Sequence, residues 1–141
     1  MTIVTERFQE FVDALEMIDD EDLRFEYIID IGKKLESDSF PEELRIDKNL
    51  MHGCMSKVWI VDEKRGEKYY FKGYSDAIIV KGLVAMMTDS FSGLNNDELQ
   101  ELTIEQVKRL NLGALTTQRQ VGMMGMLEHL KKLGRQSLSE T

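Results

Sequence analysis

The run from Ala77 to Met87 limits what this chain can become more than any other stretch. Ala77, Ile78, Ile79, Val80, Leu83, Val84, Ala85, Met86 and Met87 are apolar almost all round a helix, so other elements must wrap this one on most sides. Just before it, residues 57–61 and 68–74 are β-branched, aromatic or aliphatic, with the polar 62–67 between them, the pattern of an antiparallel hairpin. Two strands alone are marginal in water, so a third short strand is expected over 45–50. Ser75 is expected to cap the buried helix, and Trp59, in a central strand, to belong to the core.

Further helices supply the wrapping. Phe8, Phe11, Val12, Leu15 and Ile18 recur at helical spacing, as do Leu23, Tyr27, Ile28, Ile31 and Leu35 beyond the acidic break at 19–22. They predict two amphipathic helices paired as a hairpin. Residues 37–40 end the second helix, and the only proline, Pro41, opens a helical turn over 42–44. Downstream, Ser92-Gly93 makes a break and Asn96 is placed to cap a short acidic helix. Thr103 with Gln106 forms a capping box for a helix through Leu110, which 111–113 stop. The last helix is expected over 117–133, with Met123, Met126, Leu127, Leu130 and Leu133 on one face and Gly134 ending it. Helices grouped around a small antiparallel β-sheet make an α+β fold. With no internal repeat, linker or low-complexity run, one domain over 1–141 is expected, its core at about 8–133.

Charge narrows the partners. Eighteen Lys and Arg against 26 Asp and Glu leave a formal charge of −8, which repels a phosphate backbone, so nucleic acid is not an expected partner. No stretch of eighteen apolar residues could span a bilayer, and Met1 to Arg7 does not begin an export signal. No membrane and a cytoplasmic location are therefore expected.

The chemistry points to Cys54, the only cysteine. A lone thiol closes no internal disulfide and gives no metal or cluster site by itself, but it can carry a group on sulfur. Gly53 lets the backbone turn beside it, and Lys57 and His52 make modest electropositive surroundings that favour the thiolate. The competing reading is a small buried hydrophobe. For Cys-His hydrolysis the only histidines are His52, two positions away, and His129, on a helix between Glu128 and Leu130 where a partly exposed surface residue is expected. The carboxylates at 19–22 and 98–105 read as solvated helix faces. Asp76 sits where it favours a helix macrodipole, and Arg119 reads as a surface residue near the start of the last helix.

The block Gly53-Cys54-x-Ser56-x-Val58-Trp59-Ile60, then Tyr74-Ser75-Asp76-Ala77-Ile78-Ile79-Val80-Lys81-Gly82-Leu83, then Arg119-Gln120-Val121-Gly122-Met123, resembles the SufE/CsdE family of sulfur acceptors. The resemblance runs from about Phe8 to Leu133 and implies a SufE/IscU-like fold. It implies that Cys54 takes persulfide sulfur from a cysteine desulfurase of SufS or CsdA type, stimulates that enzyme, and delivers the sulfur toward iron-sulfur scaffold proteins. PLP belongs to the desulfurase, so no bound cofactor and no metal are implied here. Gly53, Ser56, Asp76 and Arg119 match family positions that organise the cysteine loop or the docking surface. The chain departs from the pattern at His52, Met55 and Gln118. A cluster scaffold of similar fold needs several thiolate ligands, which one cysteine does not supply. A thiol redox protein, or an interaction module with an incidental cysteine, is the alternative; a monomer or weak homodimer is expected.

Overall fold

The computed structural model describes residues 6–36, 40–51, 57–107, 109 and 117–139. Helix α1 (Glu6–Met17) turns its buried Phe8, Phe11, Val12 and Leu15 inward, and α2 (Glu21–Glu36) follows after a break at Asp20, whose Oδ1 accepts from the Asp22 and Leu23 N–H groups. Leu23, counted on the apolar face by its spacing, is 55% exposed in the first turn of α2. A 3₁₀ turn at Glu42–Leu44 begins after Pro41, as expected.

The third strand is shorter than expected. Residues Asp47–Asn49 close a second 3₁₀ turn, and among the described residues only Leu50–Met51 pair as β1. Strand β2 (Val58–Arg65) runs four residues into the expected connection at 62–67, while β3 (Lys68–Ser75) begins where the sequence places it, so the turn is just Gly66-Glu67, with Gly66 at φ 65°. A further strand without a sequence signal, β4 (Leu94–Asn95), pairs Tyr69 with Leu94 and Lys68 with Asn95. The sheet is antiparallel in the order β1-β2-β3-β4.

Helix α3 (Ile78–Phe91) packs across the inner face of β3, and it also contacts α1, α2 and the last helix. Ten of its residues are buried, which answers its all-round apolar pattern; Ile78, at the N-terminal end, lies out. Two glycines let α2 and α3 cross at backbone contact: a Cβ on Gly82 would stand 2.1 Å from the Ile28 carbonyl oxygen. The cap of α3 differs from expectation. Its N-cap is Ala77, with no side-chain cap bond, and Ser75 ends β3 instead.

The C-terminal helices hold against that core. The cap of α4 (Asn96–Glu101) is Asn95 rather than Asn96, in a full capping box with Glu98, so Glu98 is more than a solvated carboxylate. Thr103 and Gln106 cap α5 (Ile104–Val107) reciprocally, as the spacing foretold. Helix α6 (Thr117–Ser139) does not stop at Gly134. That glycine lies inside the helix, where a Cβ would come within 2.8 Å of Asn96 Oδ1, so it serves close packing against α4. No helix among the described residues is long and apolar enough to cross a membrane.

Candidate functional site

His52, Gly53, Cys54, Met55 and Ser56 lie outside the described residues, and of Arg119 only the backbone, in the first turn of α6, is described. The structure fixes the two ends between which the cysteine segment runs. On the near side, Met51 is buried and its Cε approaches Gly125 of α6, so β1 is held where sheet and helix meet. Arg119 precedes Gly125 on that helix by six residues, ~9 Å of rise.

On the far side the segment re-enters at Lys57, and here Ser75 and Asp76 act. The β2–β3 register continues one rung past Val58↔Ser75, to Lys57 and Asp76. Asp76 N–H donates to the Lys57 carbonyl at 3.4 Å, but the Lys57 N–H goes to the Asp76 side chain, Oδ1, at 3.2 Å. The carboxylate thus closes the ladder in place of a main-chain oxygen. The Ser75 hydroxyl, fully buried, donates to the same Lys57 carbonyl at 2.8 Å and accepts from the Ala77 N–H at 3.3 Å. Three hydrogen bonds therefore tie Lys57 to the turn between β3 and α3, and the one from Ala77 braces the turn itself. Sequence reading placed both side chains at a helix start; their true partner, nineteen positions upstream of Asp76, left no signal in local spacing.

Trp59 also departs from its expected place. Val58 and Ile60 face the helices, so Trp59 points to the outer face of the sheet and is half-buried against Tyr74, ring centroids 6.1 Å apart. Tyr74 stacks on Phe40 as well, and the Arg45 guanidinium lies 3.8 Å from its ring centre. An aromatic and cationic cluster thus adjoins the strand ends from which the cysteine segment leaves. His129, half-buried, lines a polar cleft of about 680 Å³ between β1, β2 and α6, together with Met51, Asp62 and Lys132.

A family model described as SufE, Fe-S metabolism associated domain, matches residues 9–134. The chain belongs to the SufE family. An uncharacterized SufE-like protein of Rhizobium meliloti is 32% identical over 128 residues, covering 86% of this chain and 90% of that one. The cysteine desulfuration protein SufE of Wigglesworthia glossinidia brevipalpis is 32% identical over 115 residues, covering 79% of this chain and 78% of its own. Among solved structures, the solution structure of a hypothetical protein from Thermus thermophilus is similar, with a TM-score of 0.77 over 97% of this chain and 99% of that one. At 16% identity it shows the fold alone, and it agrees with the α+β architecture.

Proposed function

We propose that this SufE protein is a sulfur carrier, in which Cys54 accepts sulfur from the persulfide of a PLP-dependent cysteine desulfurase of SufS or CsdA type and delivers it for iron-sulfur cluster assembly. The observation that carries the reading is the position of the one thiol, between Met51 and Lys57, in a SufE chain whose Wigglesworthia relative bears the name cysteine desulfuration protein. In the transfer, the Cys54 thiolate attacks the terminal sulfur of the donor persulfide. A sulfur–sulfur bond forms on Cys54 and the donor's breaks, its electron pair leaving on the donor thiolate; no external oxidant is needed. The same exchange run onto an acceptor thiol unloads the carrier.

The PLP stays with the desulfurase, and this chain contributes a thiol without a resident cofactor or metal. Gly53 and Ser56 shape the segment, Asp76 holds its exit at Lys57, and Arg119 contributes to docking from the start of α6. The setting is the cytoplasm, with the carrier a monomer or weak homodimer. Desulfurase turnover on L-cysteine, measured with and without this protein, tests the reading. Wild type is expected to raise turnover, whereas Cys54→Ser leaves it at the basal rate while keeping the wild-type unfolding midpoint. Stimulation that survives in Cys54→Ser overturns the carrier role.

A further inference from the structure

The hydrogen-bond phase of β3 exposes an edge that the sheet does not use. Asp76 N–H reaches Lys57 across the β2 side, whereas Phe71 N–H donates to Ser92 Oγ at 2.9 Å on the opposite side. The register runs without a bulge from Arg65↔Lys68 to Val58↔Ser75, so even-numbered residues of β3 bond β2 and odd-numbered ones face away from it. Of those, Tyr69 gives its carbonyl to the Gly93 N–H at 2.7 Å, and Ser92 Oγ takes the Phe71 N–H, its own proton lying between the Thr88 carbonyl at 2.7 Å and the Phe71 carbonyl at 3.4 Å. The next is Gly73. Strand β4 pairs only with Lys68 and Tyr69, and among the described residues no hydrogen bond reaches the Gly73 main chain from that side.

Gly73 opens instead into a groove of about 170 Å³ between β3, α3 and the end of α2, floored by Phe71 and Ala85 and bordered by Phe40 and Tyr74. An unpaired strand edge beside an apolar trough is a template for another strand. Its charge selects the strand. In a chain of −8, three cations gather here: Lys72, exposed on the groove wall; Lys81, its Nζ 4.8 Å from the Tyr74 ring centre; and Arg45, stacked on the same ring. Arg45 Nε is buried with no hydrogen-bond partner among the described residues, so that nitrogen still wants an acceptor. The groove's own carboxylate, Asp89, is engaged by Arg7.

We propose that the Gly73 edge of β3 is a docking site for an extended acidic segment of a partner protein, added beside β3 with its main chain paired to the Gly73 N–H and carbonyl and its carboxylates against Arg45 and Lys72. The site lies one residue from Tyr74 and two from Ser75, so a docked strand stiffens the same end of β3 that holds Lys57.

The test uses the intact protein and a blocked five-residue peptide alternating glutamate and valine, with a lysine-for-glutamate peptide as control. Amide exchange is followed by NMR at Gly73 and at Phe71, which already has its acceptor in Ser92. The expected result is that saturating acidic peptide slows Gly73 exchange by at least about tenfold and leaves Phe71 within a factor of about two. Lys72→Glu, an exposed change that leaves the core intact, is expected to weaken binding roughly tenfold. No protection of Gly73 by the acidic peptide, equal protection by the lysine peptide, or undiminished binding by folded Lys72→Glu overturns the proposal.

Discussion

Asp76 is an exposed carboxylate whose effect falls on a main-chain group. It takes the Lys57 N–H, so its acceptor oxygen should matter and its charge should not. Losing one such bond costs about 1 kcal/mol, which raises the population of the opened rung about fivefold. Asp76→Ala is therefore expected to speed Lys57 amide exchange about fivefold and to quicken alkylation of Cys54, while Asp76→Asn, which keeps an oxygen at the same place, stays near wild type. An asparagine variant as fast as the alanine one would show that charge, not the hydrogen bond, holds the segment. Ser75 is the harsher case because it is fully buried: Ser75→Ala leaves the Ala77 N–H without its acceptor and removes a donor from Lys57. A loss of ~1–3 kcal/mol in urea unfolding is expected.

At the scale of elements, the crossing of α2 and α3 is set by Gly32 and Gly82. Adding a methyl at Gly82 puts it against the main chain of Ile28, which cannot rotate aside as a side chain could, so Gly82→Ala is expected to cost about 3 kcal/mol in denaturant unfolding. Gly32→Ala, whose Cβ meets the Gly82 nitrogen at 3.0 Å, should cost less. What sequence could show of these elements follows from how far each depends on distant chain. The helices α1, α2, α3 and α6 and the β2–β3 hairpin repeat their own periodicity, and were legible. Strands β1 and β4, two residues each, exist only because β2 and β3 offer an edge, and carry no pattern of their own. Gly134 misled for the same reason: a glycine required by the neighbouring Asn96 looks, in sequence, like one that ends a helix.

The whole molecule places a wrapped helix, α3, behind a four-stranded sheet and brings β1, β2, β3 and α6 to the end where the cysteine segment is tethered. Of the candidate site, the thiol and its motif were visible in sequence because they are contiguous. The Lys57–Asp76 rung and the cations gathered at Tyr74 were not, because the sheet register and packing across elements assemble them. The central claim is that sulfur rides on Cys54. Intact-protein mass spectrometry after incubation with a cysteine desulfurase, PLP and L-cysteine tests it most directly. The account predicts that wild type gains the mass of one sulfur atom, reversibly under reductant, and that Cys54→Ser gains none; an unchanged wild-type mass, or an equal gain on Cys54→Ser, would contradict it.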